Sequence, residues 1–398
     1  MTSRRQPYAG QAGADRVIPS SLWLRLCAVL LLLAPAVSSG AEREDLVFTP
    51  APTVLEPEKQ QLLDIAFAGD RMVAVGAAGL IVISDDGGAS WEQAKHVPVS
   101  ATLTAVSFCG PDLGWAVGHA GVVLHTQDGG LTWVKQFDGY RAAEAFLAYA
   151  KEQRLALESQ LASFVDGGVD AAGLDRSDIE YALDDAIFIE DEAQLAVESG
   201  PADPFLDVEF LDEQRGLAVG AYGMSFRTSD GGATWHINQA GIENMDRFHL
   251  YAVYARDQQV YLAGEAGLLF RSDDEGQSFE RFYDVYEGSL FGLVPMNAGV
   301  LGFGLRGNVF LQRPGSDAWE PLKVDSQSSL YGGIALADGS VLLLGAGGTL
   351  LRLDSDASVQ LFQHPSRSTF SAALEGKDGE IWLVGMDGMT RFSQAQQQ

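Results

Sequence analysis

Apolar and polar residues alternate in short runs along most of this chain, and the runs recur. Leu62-x-x-Ile65-x-Phe67 returns as Leu103-x-x-Val106-x-Phe108 and as Phe205-x-x-Val208-x-Phe210. This spacing is that of half-buried strands. Each run is followed by a second apolar run that ends in a glycine turn. The turn is G-x-x-G, and it occurs as Gly76/Gly79, Gly118/Gly121, Gly220/Gly223, Gly264/Gly267, Gly304/Gly307, Gly345/Gly348 and Gly385/Gly388. Successive first glycines lie 42, 102, 44, 40, 41 and 40 residues apart. A unit near 40 residues is the length of one four-stranded propeller blade, and the long interval then holds an insertion of about 60 residues. The pattern predicts an all-β, seven-bladed β-propeller with an α-helical hairpin insertion.

A second turn in each unit is more specific. It reads SDDGGASW over 84–91, TQDGGLTW over 126–133, TSDGGATW over 228–235 and SDDEGQSF over 272–279. This is the Asp-box, S/T-x-D-x-G-x-x-W. Its members are Ser84, Asp86, Gly88 and Trp91; Thr126, Asp128, Gly130 and Trp133; Thr228, Asp230, Gly232 and Trp235; and Ser272, Asp274, Gly276 and Phe279. A short carboxylate can hold backbone N–H groups across a turn, and a following glycine supplies a positive φ. These sixteen positions are therefore expected to be structural, the aromatic packing back against its blade, rather than to bind calcium or to catalyse. Units five to seven degrade: only Trp319 survives in the fifth box, the sixth lacks the box, and the seventh stops one strand short. Residues 46–54, LVFTPAPTV, are expected to supply the missing strand and remove an open edge.

Within 138–204 the period changes. Arg141 to Val165 is rich in Ala, Leu, Glu and Gln, with Phe146, Ala150, Leu157, Leu161 and Phe164 near helical spacing. Ser177-x-x-Glu180 resembles a capping box that opens a second helix to about Val197. The apolar stripe reads first as the hairpin's own seam and second as a partner groove. The propeller then comprises 42–137 and 205–398. With strands a to d alternating in direction, the insertion is a d-to-a connection on the face of the G-x-x-G turns. Those turns carry His119, Tyr222, Glu265, Arg306 and Asp387, the candidate partner-binding residues, because loops on a rigid ring are free to vary.

The N-terminus changes the picture of location. Leu26–Val37 is an apolar run of signal-peptide length preceded by arginines, with small residues around Ser39 and Ala41. Residues 1–41 read as an export signal, cleaved at Ala41 or at Ala36. Removing them leaves a formal charge of −31, since four basic residues and one acidic residue go. Such a field repels phosphate backbones and anionic lipid surfaces, so nucleic acid and direct membrane-surface binding are disfavoured. The bland reading of the acidity is solubility. The insertion alone carries 16 acidic and 4 basic residues. Cys109 remains as the lone cysteine and reads as a packed small hydrophobe. The histidines show no metal-ligand spacing, and no cofactor or metal is expected.

The string G-x-A-V-G-x-x-G-x-h-x-x-T-x-D-G-G-x-T-W, best seen in Gly114–Trp133 and Gly216–Trp235, resembles the photosystem II assembly and stability factor family. The resemblance implies a non-enzymatic propeller that assists membrane-complex assembly from the lumenal or periplasmic side. It extends to relatives in non-photosynthetic bacteria, some beside exporters of the resistance-nodulation-division type. The implied partner is a membrane protein complex or another periplasmic protein, with this chain monomeric alone. The family's basic patch would fall on Arg227, Arg271 and Arg352, although His125 and Ile83 hold the same place in the first two units. The rival readings are a sialidase-like glycoside hydrolase and a carbohydrate-binding propeller. The first needs an Arg-Ile-Pro opening, and the nearest string, Arg16–Pro19, lies inside the export signal.

Overall fold

The computed structural model describes residues 45–164, 175–201, 203–356 and 358–392. The expected export signal at 1–41 lies outside them. The described strands form seven antiparallel sheets, each in simple sequential order. Blade 1 spans 62–93, blade 2 103–137, blade 3 205–237, blade 4 250–281, blade 5 290–322, blade 6 330–363 and blade 7 370–392. Blades 1 to 6 have four strands, and blade 7 has three. The innermost strand of each blade packs on that of the next, and the strand at 370–375 packs on that at 62–68, so the ring is closed.

The G-x-x-G turn ends the second strand of each blade. A Cβ at Gly76 would lie 2.2 Å from the Gln61 carbonyl oxygen, and one at Gly118 would lie 2.1 Å from that of Thr102. Only glycine lets the backbone come this close. The closeness is used: Ala77 N–H donates to Gln61 O at 3.1 Å, and His119 N–H to Thr102 O at 2.8 Å. Each turn is thereby tied to the entry of its own inner strand.

The Asp-boxes share one network. Asp128 accepts from Thr132 N–H at 2.9 Å and from the Thr132 hydroxyl at 2.6 Å, while Thr126 Oγ1 accepts from Gly130 N–H at 3.0 Å and donates to Asp128 at 2.8 Å. Asp86 repeats this with Ser84, Gly88 and Ser90. Asp230 and Asp274 repeat it with Thr228, Gly232 and Thr234 and with Ser272, Gly276 and Ser278. The box glycines take positive φ, 85° at Gly88 and 91° at Gly130. The aromatic does more than pack on its own blade. Trp91 meets Trp382 of blade 7 edge-on, with ring centroids 5.6 Å apart, and Trp133 lies fully buried in a cluster with Val73 and Ile83 of blade 1. Trp235 meets Phe210 of its own blade at 6.0 Å inside a cluster shared with Trp115 of blade 2. The box glycines point the same way: a Cβ at Gly130 would meet Val73, and one at Gly276 would meet Leu217 of blade 3. Each box is a joint to the preceding blade, and the first box is the joint that closes the ring.

The expected closing strand at 46–54 is corrected. No strand from this segment pairs with the edge of blade 7 at 388–392. The segment instead lies along the connection from blade 1 to blade 2, where Ser100 N–H donates to Leu46 O at 2.9 Å and Ala51 N–H to Val97 O at 3.0 Å. Pro50 and Pro52 lack ladder donors, and Val47 is buried among Val97, Val99 and Trp133. The blade 7 edge is covered by the next residues: the short turn Pro57–Lys59 lies against it, leaving no room for a Cβ at Gly388. Arg391 stacks over Trp382 at 4.6 Å and donates to Gly88 O at 3.3 Å, adding a polar clasp across the closure.

The described residues of the insertion form two helices. Helix α1 spans Gly139–Ser163 and α2 spans Arg176–Ser199, packed together and starting within a residue or two of the expected places. The cap of α2 is corrected from Ser177 to Asp175. Asp175 accepts from Ser177 and Asp178 N–H, and Asp178 accepts from Asp175 N–H, because a carboxylate at that place outcompetes the hydroxyl two residues on.

Truncating the buried joint at Trp133→Ala should cost about 3–5 kcal/mol of stability, and Asp128→Ala about 1–3 kcal/mol through orphaned turn N–H groups. Denaturant unfolding checks both. Unchanged midpoints would remove the structural role assigned to the boxes.

Candidate functional site

Alternation of strand direction places all seven G-x-x-G turns on one face of the ring, together with the entries of the inner strands. His119, Tyr222, Arg306 and Asp387 are exposed there, and Glu265 is half-buried. They lie on five different blades and form no single cluster. Tyr222 and Arg306 sit at the second turn position with φ of 53° and 57°, a region that side chains rarely adopt. The turn itself imposes this φ, since Ala78, Ala120 and Ala266 take 55°, 57° and 51° at the same place; at Tyr222 and Arg306 the backbone also bonds to the next blade, Tyr222 N–H donating to His249 Nδ1 at 2.9 Å and Arg306 N–H to Ser329 Oγ at 3.3 Å. These residues are therefore partly structural through their backbone, while their side chains stay outside.

From Tyr222 a ladder of rings crosses this face. Tyr222 packs edge-on against His249 at 4.9 Å, His249 against Tyr251 at 5.9 Å, Tyr251 against Phe291 at 5.2 Å, and Phe291 against Tyr331 at 5.5 Å. Tyr251, Phe291 and Tyr331 occupy the same irregular position at the entry of the inner strands of blades 4, 5 and 6, where the register slips. The repeat Leu-x-Ala/Gly in which they sit was visible in the sequence. Only the ring shows that successive x positions touch.

Below this mouth the inner strands carry carboxylates. Asp64 accepts from Val106 N–H of blade 2 at 2.8 Å, and Asp207 from Val253 N–H of blade 4 at 2.8 Å, so each stitches two inner strands. Burial pushes Asp64 up to about 6 against the pull of Val106 and Ile65 N–H, and pushes Asp207 up to about 7. Glu209, two residues along the same strand side, is pushed up to about 8 by burial and by repulsion from Asp207 and Asp64. Raised carboxylates in a concavity can mark acid catalysis. Here the oxygens of Asp64 and Asp207 are committed to backbone N–H groups, which fits a stitch better than a general acid.

The cations are elsewhere. Arg227, Arg271 and Arg352 stand on the third strands of blades 3, 4 and 6 and do not converge. Arg271 pairs with Asp273 and Asp317, and Arg352 with Asp338 and Asp354. The basic patch implied by the resemblance is thus largely neutralised. Burial raises the Cys109 thiol to about 11, in keeping with a packing role. His125 is buried, stacked on Trp115 at 4.8 Å. Among the described residues, no group of three or more His, Cys, Asp or Glu side chains is placed to hold a metal ion, and no helix is long and apolar enough to cross a membrane.

The hairpin rises beside the turn of blade 2: a Cβ at Gly121 would lie 2.7 Å from the Gly139 Cα. Between the hairpin and blade 3 lies a cleft of 350 Å³, lined by Phe146, Tyr149, Ala193, Tyr222, Phe226 and Arg247 among others. Arg247 pairs with Glu192 of α2 at 2.9 Å and covers the Phe146 ring at 5.1 Å, which moors the hairpin to the ring.

Glu209→Gln gives a direct test of the buried carboxylates. A carboxyl whose pKa is raised on folding keeps its proton while the unfolded chain loses it, so stability falls as pH rises from about 4 to about 8, by up to ~1.4 kcal/mol per pH unit for each such group. The variant should flatten that fall, most clearly above pH 6, in thermal melts run across pH. An unchanged slope would show that Glu209 ionises as freely in the ring as in the unfolded chain.

Known proteins now bear on this geometry. The profile of the family described as photosynthesis system II assembly factor YCF48 matches residues 50–137 and 191–285. The photosystem II assembly lipoprotein Ycf48 of Synechococcus sp. (strain CC9902) is 27% identical over 194 residues, covering 47% of this chain and 58% of that protein. The match therefore spans little more than half of the relative. A solved structure of YCF48 bound to D1 peptide superposes with a TM-score of 0.55 at 17% identity, covering 86% of this chain and 98% of that one. YCF48 from Cyanidioschyzon merolae gives 0.56 at 14%, covering 88% and 99%. The WD40 β-propeller domain of Doa1 gives 0.55 at 10%, covering 88% and 97%, so these superpositions speak for the propeller fold alone. Repeat, box and fold agree with the sequence match, and over its first four blades the chain is similar to the photosystem II assembly factor-like family of BNR-repeat propellers.

Proposed function

We propose that the mature protein is exported to the periplasm and acts there as a non-enzymatic scaffold in the assembly of a membrane-bound complex, an exporter of the resistance-nodulation-division type being one such complex. The observation that carries the reading is the hairpin, a single large elaboration on an otherwise regular ring, raised on the turn-bearing face of a family whose members are named as assembly factors. The apolar run at 26–37 supports export, and a relative named as a lipoprotein is consistent with action at a membrane. A membrane protein partner fits the relative bound to D1 peptide, although the chemistry here differs, with a neutralised arginine set and an acidic hairpin.

The hairpin can be removed cleanly. A Cβ at Gly139 would lie 2.5 Å from the Pro201 Cβ, so the two ends of an excision of 140–200 already meet. The shortened ring should melt within a few degrees of the full chain. Its cross-linked recovery of a membrane complex should fall at least about tenfold, as for loss of the central contacts of an interface. Equal recovery of the same complex would move the contact off the hairpin. Release of sugar from a model glycoside by the intact protein would replace the scaffold reading with the glycosidase one.

A further inference from the structure

Helix α2 has two seams seven residues in period, and only one of them is used. Ile179, Ala186 and Ala193 are buried and form its packed side. Two residues further on, Tyr181, Phe188 and Leu195 are 72%, 62% and 62% exposed. A step of two residues turns about 200° around a helix, so this second seam faces away from the first. Its members stand about 10.5 Å apart along the axis. Asp184, Asp191 and Glu198 alternate with them, all exposed. Among the described residues no lysine or arginine pairs with these three acids. Large apolar side chains held in a regular row, with nothing covering them, mark an interaction surface rather than scattered surface residues.

We propose that the outward seam of α2 docks an amphipathic helix with basic flanks, presented by the partner. This inference rests on the scaffold reading and supplies the chemistry of its contact. The periodicity selects the partner's shape, because a row of anchors every seven residues matches the apolar stripe of a second helix laid alongside. The charge selects its flanks. Helix α2 carries eight acidic residues and one basic residue, so a helix with Lys or Arg beside its stripe gains attraction and a second copy of this chain meets like charge. Anionic lipid is disfavoured by the same field. Arg154 pairs with Glu158 and Glu190 on the other side of the hairpin, and Gln194 donates to Glu198 at 3.1 Å, which leaves Asp184 and Asp191 as the seam's acids for the partner.

The test uses the mature full chain and a fluorescein-labelled 18-residue peptide of leucine and lysine, with leucines at heptad spacing. Fluorescence anisotropy should show salt-sensitive binding to the wild type. The triple variant Tyr181→Ala, Phe188→Ala, Leu195→Ala keeps its net charge and its thermal midpoint, and should bind at least about tenfold more weakly. Leu155→Ala, an exposed apolar position on α1, should bind as the wild type does. A peptide with glutamate for lysine should not bind. Equal binding by wild type and triple variant, or none by either, overturns the proposal. So does a wild-type dimer in sedimentation that the triple variant abolishes, or adsorption to phosphatidylcholine vesicles without peptide binding. If the triple variant still recovers the membrane complex that the hairpin deletion loses, the seam is wrong and the scaffold reading stands.

Discussion

Each sheet in a radial ring has two broad faces, and each face is covered only by a neighbouring sheet. That mutual covering is the constraint on which the rest of this protein depends. The inner strands touch in sequence around the ring, yet their short contact leaves the wider outer part of each blade to be filled. The Asp-box aromatics do this filling, as with Trp133 buried between blades 1 and 2 and Trp91 edge-on to Trp382 across the closure. The recurring carboxylate at the heart of each box spends its hydrogen bonds within its own turn. It holds the turn so that the glycine stays open and the aromatic points across. Local hydrogen-bond geometry thus becomes a long-range joint.

A ring closed this way need not be pinned by a shared strand. The first blade meets the last through Trp382, Arg391 and the Asp-box of blade 1, while the segment before blade 1 lies along the next connection and over the edge of blade 7. Covering the edge with a turn serves the same end as pairing it, since either one keeps unpaired ladder groups from other chains. The stitching by Asp64 and Asp207 adds to the rigidity at a cost in pH sensitivity, because a carboxylate taken out of water prefers its proton.

The turn-bearing face inherits this rigidity. The aromatic ladder from Tyr222 to Tyr331 and the moored hairpin keep fixed positions relative to the ring, which is the pre-organisation that the proposed scaffold would offer a partner. The hairpin adds acidic charge to a ring in which Arg271 and Arg352 are already paired off. It also offers a row of uncovered apolar side chains that the ring itself does not. The division of labour is physical: regular blades bury their apolar residues against one another, and the insertion has no second neighbour to bury against.

The chain alone determined the blade count, the boxes, the two helices and the face from which they rise, because each follows from local rules: turn glycines, strand alternation, helical period and chain direction. Tertiary structure decided everything that depends on which distant residues meet. The destination of 46–54 turned on whether Val47 found a better burial site than a ladder that Pro50 and Pro52 could not fully join. The Asp-box aromatics were readable as buried, but that they are buried against the preceding blade needs the ring. The five turn residues His119, Tyr222, Glu265, Arg306 and Asp387 were placed on one face by topology, yet their spread over five blades and the ring ladder beside them arise from radial geometry that no linear spacing contains. The two seams of α2 were both present as seven-residue repeats. Which one is covered depends on how α1 lies against it, and packing between separate elements is not written in the period of either.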